Sequence, residues 1–185
     1  MSNASTRVCD FGWRARDFEL ADVDGTRHTL ASTRGAKGAL VMFICNHCPY
    51  VKAVLERIVR DCAELAPLGI GAAAIMSNDP AEYPEDSPGQ MKRIARERGF
   101  GFPYLLDDTQ EVARAYSAVC TPEFFGFNAA LELQYHGRLD ASKTAPLPGA
   151  RRDLFEAMRQ IAQTGQGPAE QVAGLGCSIK WRRGG

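Results

Sequence analysis

Two cysteines separated by two residues, in Cys45-Asn46-His47-Cys48, are the positions of this chain whose types and spacing carry chemistry. The thiolate is the nucleophilic and metal-binding form of cysteine, and two thiols this close can share a disulfide or a soft metal ion. An ordinary thiol with a pKa near 8.5 is only about 3% thiolate at pH 7, whereas lowering it by about two units makes it roughly three-quarters thiolate. The flanking sequence can supply part of that lowering. Residues 39–44 form an unbroken apolar run, and residues 50–65 place Val51, Leu55, Ile58, Cys62 and Leu65 at helical spacing, with Pro49 suited to a first turn. A strand therefore delivers the pair to a helix N-terminus, where free N–H groups and the positive end of the dipole favour an anion. His47 lies inside the motif, where a donating or protonated imidazole would stabilise the Cys45 thiolate further.

The rest of the composition narrows the function classes. The chain has 185 residues, 45% hydrophobic and 24% charged, enough for one buried core without a composition break. Its 22 basic and 22 acidic residues cancel, so nothing pulls the molecule toward nucleic acid or anionic membranes. No stretch has the apolar length of a membrane span, and the N-terminus lacks the hydrophobic core of a secretory signal, so a cytoplasmic protein is expected. The six cysteines are too scattered for a disulfide framework. Cys62 falls in an apolar helical stripe and reads as a core-filling thiol, and Cys9 near the terminus carries no argument. No second C-x-x-C or paired histidines exist to complete a zinc site, and no metal or organic cofactor is expected, since a dithiol carries electrons itself.

These residues need elements to position them. Residues 17–20 and 26–30 alternate around Asp24-Gly25 and read as a hairpin, while residues 69–76 suit a central parallel strand buried on both faces. The acid- and proline-rich stretch 79–89 is expected to be a surface loop. Two capping boxes are read, Ser87 with Gln90 and Asp108 with Glu111, the second opening a helix whose apolar side runs from Val112 to Val119. Residues 123–127 and 131–136 pair as antiparallel strands before a last amphipathic helix carrying Leu154, Ala157, Met158 and Ile161. The expected organisation is an N-terminal segment (1–15), one domain (16–165) and a C-terminal tail (166–185). The fold class is α/β, a central mixed sheet flanked by helices, with an N-terminal β-hairpin, and the cysteines lie at the carboxyl end of a strand, where such sheets place their sites.

This element order, with C-x-x-C at the first βα junction and Thr121-Pro122 just before the later hairpin, resembles the thioredoxin superfamily. The stretches FELADVDGTRHTL and LELQYHGRLD resemble its redoxin branch, the alkyl hydroperoxide reductase/thiol-specific antioxidant (AhpC/TSA) group and its peroxiredoxin-like relatives. The resemblance implies a thioredoxin-like fold and a Cys45/Cys48 dithiol-disulfide couple. In it Cys45 attacks a substrate disulfide, Cys48 resolves the mixed disulfide, and Thr121 and Pro122, the latter at the position of the fold's cis-proline, hold the substrate backbone. It implies as partners disulfide-bearing proteins or small thiols and a recycling reductant; the oligomeric state is open, a homodimer included.

Departures from the family keep alternatives in view. Peroxiredoxins carry Pro-x-x-x-Thr/Ser-x-x-Cys, but counting back from Cys45 gives Met42 and Gly38, and from Cys48 gives Cys45 and Val41. A peroxidase with Cys45 as peroxidatic cysteine therefore lacks its usual hydroxyl, although an exposed low-pKa thiolate reacts with peroxide anyway. The strand before the motif offers no acid to act as proton acceptor for Cys48. Cys120, two residues before Pro122, and Cys177, in the tail, are candidate additional redox thiols. A Sco-like Cu(I) site would need Cys45, Cys48 and a distant histidine; His136 is the candidate, in an alternating strand where an exposed histidine is expected.

Overall fold

The computed structural model describes residues 2–182. In chain order its main elements are β1 (Asn3–Ser5), β2 (Glu19–Asp22), β3 (Arg27–Thr29), α1 (Leu30–Thr33), β4 (Gly38–Phe43), α2 (Pro49–Leu65), β5 (Ile70–Met76) and α3 (Pro88–Glu97). They continue with β6 (Tyr104–Leu106), α4 (Glu111–Ala115), β7 (Cys120–Thr121), β8 (Glu123–Asn128), β9 (Leu133–Tyr135), α5 (Asp153–Thr164) and β10 (Leu175–Ser178).

The apolar run becomes β4, buried along its whole length because it lies inside a seven-stranded sheet ordered β3-β2-β6-β5-β4-β8-β9. It pairs parallel with β5 and antiparallel with β8, and β5 continues parallel to β6. The pleat divides β4 between two cores. Leu40 and Met42, with Ile44 just beyond, pack under α2 and α5, and Ala39, Val41 and Phe43 face Tyr116, Phe125 and Leu30 on the opposite side. On α2 every apolar residue read from the spacing, Val51 to Leu65 and including Cys62, is buried. Trp13 joins the second core edge-on to Tyr116, while Trp181 is 37% exposed under the Arg114 guanidinium. The hairpin forms as β2–β3, with His28 tied to Asp22 at 2.8 Å across it.

Five local expectations differ from what forms. The stretch 79–89 is not wholly a surface loop: Asp86 is completely buried. Ser87 precedes α3 without capping it through its side chain, and Gln90 accepts from Arg93 instead. At α4 the cap comes from Asp107, whose carboxylate accepts from Val112 and Ala113, because Gln110 is left-handed (φ 63°) and its amide is committed to the carbonyls of Ser77 and Lys180. α4 then stops at Ala115, short of Val119. Finally, His136 is buried, bonded to the buried Glu123 at 2.8 Å and stacked on Phe125.

The terminal stretches join each other. β1, β10 and β7 form a second, antiparallel sheet, with Asn3 opposite Cys177 and Cys177 opposite Thr121. The tail reaches that position stitched to the domain: Gln171 bonds Gln134 and His136, Val172 accepts from Arg138, and Lys180 exchanges bonds with Asn78 and Asp79. Residues 1 and 183–185 of the expected terminal segments lie outside the described residues.

Candidate active site

The chain leaves β4 at Phe43 and enters α2 at Pro49, so Cys48 is the N-cap residue of α2 and Cys45 lies in the loop before it. Both cysteines are buried, and both sulfurs converge on one residue. Cys45 Sγ lies 3.2 Å from Thr121 Oγ1, and Cys48 Sγ is 3.2 Å from the Thr121 carbonyl. The Thr121–Pro122 peptide is cis, as expected of its position. The geometry thus brings together Cys45, Cys48, Thr121 and Pro122.

The intervening loop is shaped by Asp86, from the stretch 79–89 whose composition is that of a surface loop. Asp86 Oδ1 accepts the backbone N–H of Asn46 (2.7 Å) and of His47 (3.3 Å), and Oδ2 meets His47 Nδ1 (2.6 Å) and the Asn78 amide (2.8 Å). Asn46 is fixed in turn by the Tyr104 hydroxyl and by the Glu85 carbonyl. Burial pushes the Asp86 carboxyl up, yet its donors, His47 and Asn78 foremost, outweigh that and hold it below its ordinary value. His47 therefore serves Asp86 rather than bonding a sulfur, and its ring stacks on Tyr83 with centroids 4.8 Å apart. The clue to Asp86 was topological: a loop leaving β5 at its carboxyl end borders the loop leaving its neighbour β4.

The two thiols divide their electrostatics. Cys48 is drawn down to about 5, first by the Cys45 thiol, against the opposing effect of burial, with the Cys177 thiol and the N–H groups of Val51 and Cys177 adding to the pull. Cys45 is pushed well above the ordinary thiol value, first as the proton donor toward Cys48, then by burial and the Asp86 carboxylate, while the Thr121 hydroxyl opposes. The helix N-terminus thus acts on the residue that caps it, lowering Cys48 while Cys45 is raised. Access is divided the other way: a cavity of about 260 Å³ is lined by Cys45 together with Lys52, Arg93, Ile94 and Arg98, and Cys48 does not reach it.

The other candidates fall on either side of β7. The Cys120 thiol is buried and turned toward the Pro122 carbonyl at 3.8 Å, and burial pushes it far up, so it bonds neither member of the pair. Cys177, by contrast, stands across from Thr121 with its thiol bearing on Cys48. Among the described residues, ligand atoms of Cys45, His47 and Asp86 lie within 4.8 Å of one another. The Asp86 oxygens are already filled by four donors, a hard ligand of this kind suits Cu(I) poorly, and His136 is occupied by Glu123, so the donor set does not fit a Sco-like site.

A mixed sheet flanked by helices, a cysteine pair at the first βα junction and a cis-proline across from it define a redoxin of thioredoxin-like fold. Within that class, a model of the AhpC/TSA family matches residues 11–141, and the chain belongs to this family. It is similar over 100% of its length to 99% of an uncharacterised conserved protein from Geobacillus kaustophilus (40% identity, TM-score 0.92). Over 97% of its length it is similar to 99% of a hypothetical protein from Sinorhizobium meliloti 1021 (36% identity, TM-score 0.91). A secreted disulfide oxidoreductase from Mycobacterium tuberculosis shares the fold at 18% identity (TM-score 0.58, 79% of this chain and 95% of that one). No curated protein matches. Among the described residues no helix is long and apolar enough to cross a membrane.

Proposed function

We propose that the protein is a thiol-disulfide oxidoreductase working through a Cys45/Cys48 couple. The observation that carries this reading is the convergence of both sulfurs on Thr121, the residue in front of cis-Pro122. Cys45 lines a cavity and so is the attacking thiol, while Cys48, drawn down beside it, serves as the base. As a substrate disulfide arrives, the shared proton passes from Cys45 to Cys48 and the Cys45 thiolate attacks one substrate sulfur. The substrate's disulfide breaks, and the departing thiolate takes the proton from Cys48. The Cys48 thiolate then attacks Cys45 Sγ, forming the Cys45–Cys48 disulfide and releasing the second substrate thiolate, which is protonated by water. Substrate gains two electrons, the protein loses two, and a cellular thiol reductant must restore them. Disulfide-bearing proteins or small thiols in the cytoplasm are the partners this chemistry requires.

A second reading, reduction of peroxide, is favoured by one contact: Thr121 Oγ1 supplies beside Cys45 the hydroxyl that is missing upstream in the sequence. There Cys45 thiolate would attack a peroxide oxygen to give a sulfenic acid and hydroxide, and Cys48 would displace water to form the same disulfide. Stopped-flow mixing of the reduced protein and its Cys45→Ser variant with oxidised glutathione and with hydrogen peroxide separates the two. Fast, Cys45-dependent exchange with peroxide rates like those of a free thiol, and a couple more oxidising than thioredoxin's at about −270 mV, is the expected result. A peroxide rate orders of magnitude above a free thiol would move the protein to the second reading.

A further inference from the structure

The edge of β7 that faces the cysteine pair is occupied by the protein's own tail. β10 runs antiparallel to β7 with Cys177 opposite Thr121 and Ser178 opposite Cys120, and β1 closes its outer edge. The approach is close: a Cβ on Gly176 would stand 2.2 Å from the Thr121 carbonyl oxygen, so only glycine fits there. Cys48 Sγ lies 3.2 Å from that same carbonyl. Cys177 is 2% exposed and lies in the same buried cluster as Cys48. Residues 173–175 then continue along Pro122, Tyr50 and Phe124 as one wall of a cavity of about 210 Å³. An extended strand carrying a cysteine to the sulfur of a resolving thiol is the arrangement that β-strand addition of a substrate would produce.

We propose that β10 is a built-in counterpart of an extended disulfide substrate and that Cys177 is the third thiol of the redox centre, exchanging with the disulfide at Cys48. This rests on the reading of Cys45 and Cys48 as a dithiol-disulfide couple. In the oxidised protein the Cys177 thiolate attacks Cys48 Sγ; the Cys48–Cys177 bond forms as the Cys45–Cys48 bond breaks. Cys45 leaves as the thiolate and takes up the proton that Cys177 gave up. The oxidation level of the protein is unchanged, so the step consumes no oxidant. Its result is a free Cys45 facing its cavity while the tail is locked onto β7.

Disulfide mapping tests this. Full-length reduced protein, wild type and the Cys45→Ser, Cys45→Ala and Cys48→Ser variants, is oxidised with one equivalent of diamide, alkylated and cut with trypsin. Cys45 and Cys48 fall in one peptide, residues 38–52, and Cys177 in another, residues 160–180. The two peptides should be joined in part of the wild type and in most of both Cys45 variants, with roughly tenfold less joining in Cys48→Ser. Mixing isotope-labelled and unlabelled protein should show the link to be within one molecule. A bond inside peptide 38–52 in the wild type, with no joined peptide in either Cys45 variant, overturns the inference alone; so does joining that survives Cys48→Ser or runs between molecules. Failure of the wild type to form the Cys45–Cys48 bond overturns instead the reading beneath it.

Discussion

A single carboxylate, Asp86, organises the loop between the two cysteines, and it works in two opposed directions. Its four hydrogen bonds fix Asn46 and His47, while its charge discourages ionisation of Cys45. Replacing Asp86 by Asn should therefore lower the Cys45 pKa, seen as additional ultraviolet thiolate absorbance at a given pH. It should also destabilise the protein by about 2–3 kcal/mol in urea unfolding at neutral pH, since buried donors lose a charged acceptor. Because the folded-state value of Asp86 is depressed, its contribution is present above the unfolded carboxylate value near 3.9 and fades as pH falls through the folded one. The gap between wild type and variant should accordingly close in acid. Cys48 obeys the same sign: drawn to about 5, it adds stability to the reduced protein as pH rises from there toward the ordinary thiol value near 8.5, and loses it below. Unfolding of the reduced protein should become harder across that window, and Cys48→Ser should flatten the profile.

At the scale of elements, β10 is the piece whose placement decides how much of the site is open. Gly176→Val should push it off β7, since the new Cβ meets the backbone of Thr121 and nothing there can yield. The expected outcome is alkylation of Cys177 at least roughly tenfold faster than in wild type, with a lower Tm, whereas unchanged alkylation would mean the strand is displaced already. The sequence made β4, α2 and β5 legible because burial on both faces leaves continuous apolar runs, and helical burial leaves a three-to-four spacing. It did not disclose β10: Leu175 to Ser178 alternates weakly, and its partners Asn3 and Thr121 are remote in the chain. The capping boxes expected at Ser87 and Asp108 fail because other bonds claim the box side chains: Gln90 accepts from Arg93 within α3, and the Asp108 carboxylate pairs with Arg182 while Asp107 caps α4. Of the site, the thiols and Thr121-Pro122 were visible as local patterns, but Asp86 was hidden in a segment whose composition is that of a solvated loop.

The whole molecule is tied across its helical face by buried charge. Asp61 on α2 is fully buried and is met by Arg152, which enters α5, at 2.6 Å, with Glu64 sharing the same guanidinium at 2.8 Å. Arg152 also lies 3.8 Å over the Phe155 ring. Arg152→Ala leaves Asp61, among the described residues, with Arg60 as its ion-pair partner and should cost about 2–4 kcal/mol, measured as the loss in urea midpoint at constant slope, without altering disulfide exchange. A loss within the range of an exposed pair, about 0.5 kcal/mol, would show that the network adds no more than a surface pair.

The pairing of β1 with β10 bears on the order in which the molecule is assembled. Asn3 can meet Cys177 only once β10 has been made, after every other strand of the two sheets, so this pairing of high sequence separation closes late on a growing chain. α2, β4 and β8 can be complete before that, so a newly made molecule passes through a stage with Cys45 and Cys48 in place and the β7 edge bare. Clasped only by short strands, the same edge is the region from which local opening should begin in the finished protein, with its amide hydrogens exchanging ahead of those of β4 and β5.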